Sequence, residues 1–111
     1  MNAKAFRKLA LALPEACEAP HFDRASFSVG KKIFATMTAD GKEAMVRVAP
    51  FARLEALIET YPETFFSHGG WTIRLGALGV RLAKVDRALL RELLVDSWER
   101  VAPPRLRGRL R

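Results

Sequence analysis

The chain has 111 residues, half of them hydrophobic, and a formal net charge of +7. This length predicts one domain that buries a core without disulfide or metal support. No apolar run is long enough to span a membrane, and the N-terminal apolar residues recur at helical spacing rather than as an export signal, so we expect a cytoplasmic protein.

The N-terminal segment predicts an amphipathic helix over about residues 2–13. Phe6 and Leu9 fall on one helical face, Asn2 is a suitable N-cap, and Pro14 prevents the helix from continuing. A short strand is predicted next, at Glu18–Phe22.

Three strands joined by tight turns are predicted within Arg24–Val48. Gly30-Lys31 suits a type II′ turn with glycine first, and Asp40-Gly41 suits a type I′ turn. If both loops contain two residues, Val29 lies opposite Lys32, Phe27 opposite Phe34, Thr38 opposite Glu43 and Ala35 opposite Val46.

This register divides the side chains between two sheet faces, because successive residues of a strand point in opposite directions. One face is uniformly apolar and is expected under the helices: Ile33, Ala35, Met37, Ala44, Val46 and Val48. The other face mixes aromatic, apolar and basic groups: Phe27, Phe34, Thr36, Met45 and Arg47, with Lys32 at its margin.

The second half of the chain predicts two more helices and one more strand. A helix starts at Pro50 and ends before Pro62, and a final helix runs from the N-cap Asp86 to about Val101. Between them, residues 71–75 alternate in polarity as a strand would.

These elements predict an α+β fold, a single two-layer domain with an antiparallel sheet and helices packed on it, in the order α-β-β-β-β-α-β-α. The folded domain is expected to cover residues 1–102. Residues 103–111, PPRLRGRLR, are expected to form a basic, flexible tail; without them the chain has 15 basic and 12 acidic groups. The tail could contact phosphates or be a solvated terminus.

No pattern of residues predicts catalysis. Cys17, His21 and His68 lack the spacing of a zinc site, and no phosphate-loop, nucleophile-elbow or dinucleotide motif occurs. We therefore expect no enzymatic activity, no metal and no cofactor, and we interpret Cys17 as a semi-buried apolar side chain.

The loop Ser67–Trp71 allows two interpretations. Its glycines permit a tight turn that Trp71 anchors in the core, or His68 and Trp71 line a pocket beside Arg47 and Arg74.

Several segments resemble the MmcQ/YjbR family of small bacterial proteins. They are the first helix ending in LALPEA, then PHFDRASFSVGKKIFATM, the strand EAMVRV, the Gly70-Trp71 pair and the helix ending in DSWERVAP. Arg47 stands where members often have Lys, and Trp98 where Tyr is common. The resemblance implies a fold similar to CyaY-like proteins and a DNA-binding role. It does not imply iron binding, because the first helix lacks the acidic ridge of the CyaY proteins.

Charge and resemblance together predict a monomeric DNA-binding protein that makes mostly non-sequence-specific phosphate contacts. The expected phosphate ligands are Lys31, Lys32, Lys42, Arg47, Arg74, Arg105, Arg107 and Arg109. The alternative is a binding module for a small anionic ligand or an acidic protein partner. Its expected pocket residues are Phe27, Phe34, Arg47, His68 and Trp71.

Overall fold

The computed structural model describes residues 1–108, with Trp71 described by its backbone only. The helices are α1 (Ala3–Leu11), α2 (Phe51–Thr60), α3 (Trp71–Arg74) and α4 (Arg87–Val101). The strands are β1 (Cys17–His21), β2 (Arg24–Val29), β3 (Lys32–Thr38), β4 (Glu43–Arg47), β5 (Phe65–Phe66) and β6 (Ala77–Arg81).

The strands form one antiparallel sheet in the order β1-β2-β3-β4-β6-β5. Helices pack on it, which confirms the predicted α+β architecture. The structure adds the two-residue strand β5 and the short helix α3 to the predicted order. In the described part of the chain, no helix is both long enough and apolar enough to cross a membrane.

Both predicted N-caps are present. The Asn2 carboxamide oxygen accepts a hydrogen bond from the Ala5 amide at 2.9 Å, and the Asp86 carboxylate accepts one from the Leu89 amide at 3.0 Å. Each bond satisfies an amide that has no partner within its helix, so the helices begin where the sequence predicts.

The main core lies between the sheet and the helices α1 and α4. Trp98 of α4 is fully buried, and its indole N–H donates to the Pro14 carbonyl at 3.0 Å, which ties α4 to the end of α1. Phe6 of α1 meets Phe27 of β2 edge to face, with ring centroids 5.4 Å apart.

A β-bulge changes the predicted pairing of β2 with β3. Phe27 lies opposite Ala35 while the next residue, Ser28, lies opposite Ile33, so Phe34 is an extra residue in β3. The prediction that Phe27 and Phe34 lie on the mixed face, away from the helices, is therefore wrong. Both rings are buried in the core on the helix side.

The same bulge moves Ile33 to the opposite face, against the prediction. Ile33 is half-buried and lines a cleft there together with Thr36 and Met45. The alternation of polar and apolar residues does not reveal the bulge. One inserted residue reverses the sheet face to which every residue on one side of the insertion points.

The two hairpin turns differ from the predicted types, although Val29 still pairs with Lys32 and Ala35 with Val46. Gly30 and Lys31 both have positive φ, at 57° and 68°, as in a type I′ turn rather than the predicted II′. The second loop contains four residues, 39–42, rather than two.

The predicted strand at residues 71–75 is wrong, because Trp71–Arg74 is helical and the strand follows at Ala77–Arg81. Two glycines beside and within this strand, Gly76 and Gly79, permit close approaches. A Cβ on Gly76 would lie 2.5 Å from the Val48 carbonyl oxygen, and one on Gly79 would lie 2.4 Å from the Phe66 ring.

The C-terminal segment is folded further than predicted. Leu106 is buried in the core cluster, and its amide donates to the Pro103 carbonyl at 2.9 Å. Burying Leu106 holds the first part of the predicted tail against the domain. The last three arginine-rich residues, Arg109–Arg111, lie outside the described residues.

Candidate functional site

The face of the sheet that is turned away from α1 and α4 is called here the open face. Its central row runs across the strands through the pairs Ser26–Thr36, Thr36–Met45 and Met45–Gly79. These side chains are small or flexible, so they leave space above the sheet instead of filling it.

One edge of the open face is covered by Phe66 of β5. Its ring lies over Gly79, the Arg81 guanidinium stacks 4.6 Å from the ring centroid, and His68 meets the ring edge to face at 5.2 Å. These contacts fix the start of the segment 67–76, which returns across the open face.

A cleft of about 430 Å³ lies between this segment and the β1–β2 turn. It is lined by His21, Phe22, Asp23, Arg24, Thr36, Met45, His68, Thr72, Leu75 and Ala77. A second cleft of about 180 Å³ adjoins it and shares His21, Thr36 and Met45, and Arg47 also lines it. The clefts are within or just below the size range of small-molecule sites.

One polar group among the residues that line this cleft, the Thr36 hydroxyl, is unusual. Its hydroxyl oxygen is buried from solvent and has no hydrogen-bond partner in the described part of the chain. Buried hydroxyl groups are normally paired, so an unpaired one among the residues that line a cleft is unusual.

Two of the predicted pocket residues line the clefts and two do not. His68 and Arg47 line the two adjoining clefts, whereas the rings of Phe27 and Phe34 are buried on the far side of the sheet. The role predicted for the Trp71 side chain falls outside the described part of the structure.

Sequence reasoning missed the contribution of the β1–β2 turn to the cleft. His21 pairs with Arg24, so Phe22 and Asp23 form a two-residue turn at the cleft rim. A large apolar residue between two strands, where a polar turn residue or glycine is usual, was the available signal.

A second region, called here the basic end, is the end of the sheet where β2 ends and β3 begins. Lys31 and Lys32 lie in and beside the turn, and Arg47 lies at the end of the neighbouring strand β4. Arg74 is exposed on α3, just before Gly76, whose carbonyl accepts a hydrogen bond from the Val48 amide at 2.8 Å.

The C-terminal segment meets this end. A Cβ on Gly30 would lie 2.9 Å from the Pro103 side chain, so the segment that carries Arg105 and Arg107 lies against the Lys31 turn. Arg105 forms a bidentate ion pair with Glu15 at 2.7 and 2.8 Å, which raises the pKa of its guanidinium. Arg107 donates to the Ala102 carbonyl at 2.9 Å.

Lys42 lies at the other end of the sheet, about 20 Å from Lys32, given roughly 3.3 Å per residue along β3. Its neighbour Asp40 accepts hydrogen bonds from the Thr38 hydroxyl at 2.6 Å and from the Lys42 amide at 3.0 Å. Those bonds, the Thr38 bond first, lower the pKa of the Asp40 carboxyl. The structure therefore separates Lys42 from the other predicted phosphate ligands; Arg109 lies outside the described residues.

No group of three or more His, Cys, Asp or Glu side chains within the described ranges could hold a metal ion. Cys17, predicted to be semi-buried, is exposed.

Comparison with known proteins supplies the family. The YjbR family model matches residues 11–100, which is most of the chain. The chain belongs to the YjbR family. It is similar in fold to Deinococcus radiodurans protein DR2400, whose crystal structure carries the family-model domain DUF419. The TM-score is 0.77 at 23% sequence identity, covering 97% of this chain and 83% of that one.

No curated protein matches the chain. The family and the fold are thus established, whereas the activity has to be inferred from the surfaces of the molecule.

Proposed function

We propose that this YjbR-family protein binds nucleic acid as a cytoplasmic monomer, through the basic end, by non-sequence-specific phosphate contacts and without catalysis. The observation that carries the proposal is the contact between Gly30 and Pro103, which brings the arginine-rich C-terminal segment against the Lys31-Lys32 turn. Two basic segments that are more than 70 residues apart in sequence thereby form one surface.

The distribution of ion pairs supports this assignment. Other cations of the molecule are already paired with carboxylates, as in Arg7 with Glu18 at 3.0 Å and Arg53 with Asp96 at 2.6 Å. Among the described residues, Lys31, Lys32 and Arg47 have no carboxylate within 4.0 Å. Cations without a protein partner remain available to phosphate oxygens.

Arg105 is a weaker candidate for phosphate binding than Lys31 and Lys32. Its guanidinium already holds the Glu15 carboxylate, so a phosphate has to compete with that exposed ion pair. Lys31 and Lys32 have no carboxylate partner that would compete with a phosphate, so they are the residues to substitute first.

The test measures the affinity for labelled duplex DNA across a salt series, for the full chain and for the double variant Lys31→Gln with Lys32→Gln. Each phosphate contact contributes about 0.9 to the slope of log K against log salt for duplex DNA. We expect the double variant to lower the slope by about 2 and to weaken binding at low salt.

The matched control is the double variant Lys84→Gln with Arg87→Gln, which removes the same charge at the opposite end of the sheet. We expect it to retain the wild-type slope. Equal losses in both variants would show that only net charge matters, and no binding at low salt would refute the proposal. Charge substitution is preferable to truncation after Pro103, because truncation would remove the buried Leu106.

A further inference from the structure

We propose that the larger cleft on the open face is a binding site for a small planar aromatic ligand that bears one anionic group, such as an aromatic carboxylate or monophosphate. The site goes beyond the proposed nucleic-acid surface, since it lies on the sheet face and toward the end opposite Lys31 and Lys32. It consists chiefly of His21, Phe22, Arg24, Thr36, Met45 and His68.

Phe22 is the first argument for an aromatic ligand. Its side chain is 94% exposed, and its φ of 59° lies in the left-handed region that bulky residues avoid. Both features are unfavourable in the free protein, and a turn residue such as asparagine or glycine would avoid both. Strained backbone of this kind is concentrated at binding sites, and a ligand ring against the Phe22 ring would remove its apolar surface from water.

The neighbouring side chains continue the aromatic surface into the cleft. The His21 ring meets Phe22 edge to face, with centroids 4.8 Å apart. His68 lines the opposite wall and Met45 lines the cleft at the sheet, where its thioether offers an adaptable apolar contact. A flat ring fits between these walls better than a branched aliphatic group, because rings stack and sulfur packs well against them.

The anionic group is assigned from the charges that line the cleft. Arg24 is half-buried at the rim and has no ion pair with any carboxylate in the described residues, and Asp23 is the single acidic residue of the lining. A guanidinium pairs bidentately with a carboxylate or a phosphate.

The dimensions favour a small molecule over a polymer. The cleft of about 430 Å³ is bounded by the β1–β2 turn on one side and by residues 67–76 on the other. Lys31 and Lys32 are outside the lining: Thr36, the β3 residue that lines the cleft, lies about 13 Å along the strand from Lys32, at roughly 3.3 Å per residue.

The experiment titrates the isotope-labelled full chain with naphthoate and follows the backbone amide resonances. Two matched probes accompany it: naphthylmethanol lacks the charge, and cyclohexanecarboxylate lacks the aromatic ring. We expect naphthoate to shift resonances of the β1–β2 turn, β3 and the segment 67–76, and to bind about tenfold more tightly than either probe.

Two variants test the assigned roles. Phe22→Asn keeps a residue that tolerates positive φ, so we expect an unchanged or higher Tm together with about tenfold weaker naphthoate binding. Arg24→Gln is expected to weaken naphthoate by about tenfold and to leave naphthylmethanol unchanged. The matched controls are Phe51→Ala, which removes an exposed ring on α2, and Arg91→Gln, which removes an exposed cation on α4; both should bind as wild type.

The proposal is overturned if naphthoate shifts no cleft resonance up to its solubility limit, if naphthylmethanol binds equally well, or if Phe22→Asn and Arg24→Gln bind as wild type. It is also overturned if single-stranded DNA shifts the cleft resonances and naphthoate does not, since the cleft would then be a site for nucleic-acid bases. Neither result depends on duplex binding at the basic end, so the two proposals fail separately.

Discussion

The two faces of the sheet differ at one buried hydroxyl group each, although Ser26 on the open face is bonded to the Ala19 carbonyl at 2.9 Å. On the helix side, Ser97 of α4 donates to the Phe34 carbonyl and accepts from the Arg47 amide at 3.0 Å. On the open face, the Thr36 hydroxyl has no partner in the described residues. The closed face is thus completed by its own polar groups, whereas the open face leaves one unsatisfied. A buried polar group without a partner is rare in a packed core, so this difference sets the two faces apart.

The largest effect is expected from Ser97→Ala. The substitution leaves the Phe34 carbonyl and the Arg47 amide without their buried partner, and each lost bond costs about 1–3 kcal/mol. We expect the free energy of unfolding to fall by about 3 kcal/mol, measured by urea denaturation.

The matched control for Ser97 is Ser28→Ala, a half-buried serine on the open face. We expect it to change stability by less than about 0.5 kcal/mol. Similar losses in the two variants would show that the faces do not differ in this respect.

Thr36→Val is expected to have a smaller effect of opposite sign. Valine has the same shape and removes a hydroxyl that is buried without a partner, so stability should rise by about 0.5–1 kcal/mol.

The control is Thr38→Val, two residues along β3, whose hydroxyl donates to Asp40 and accepts from the Glu43 amide at 3.1 Å. That variant should lose about 1 kcal/mol. A destabilised Thr36→Val variant would show that the hydroxyl is bonded to an ordered water molecule.

The smallest effect on stability is expected from substitution of Asp40. This residue lies in the turn after β3, outside both sheet faces, so it is a reference for the comparison between them. Because its pKa is lowered in the folded state, its contribution is complete above the ordinary pKa of an aspartate and disappears as the pH falls through the folded value. We therefore expect wild type to exceed Asp40→Asn in stability at neutral pH, and the difference to shrink below about pH 4. A pH-independent difference between the two denaturation curves would contradict this assignment.

The local pattern of residues predicts the elements of the closed face well. The caps Asn2 and Asp86 and the apolar periodicity of α1 and α4 all depend on contacts within a few residues of one another, so the sequence alone determines them. The paired glycine-containing turns likewise predict the meander β2–β4 and most of its register.

The open face and the basic end could not be derived in the same way, because both depend on contacts between residues distant in sequence. The bulge at Phe34 is held by Ser97, which is 63 residues away, and it places Phe34 in the core and Ile33 outside it. The strand Ala77–Arg81 contains Gly79, which leaves room for the ring of Phe66, 13 residues earlier in the chain.

The sequence by itself therefore determined the α+β class, the family and most helix and strand positions, since these follow from hydrophobic periodicity, caps and turns. Only the tertiary structure decided which residues surround the cleft and where the C-terminal arginines lie. Leu106 packs into the core, and the Gly30–Pro103 contact carries the basic segment to the Lys31 turn. Packing between segments that are distant in sequence determines where those charges lie, and a local sequence pattern does not predict such packing.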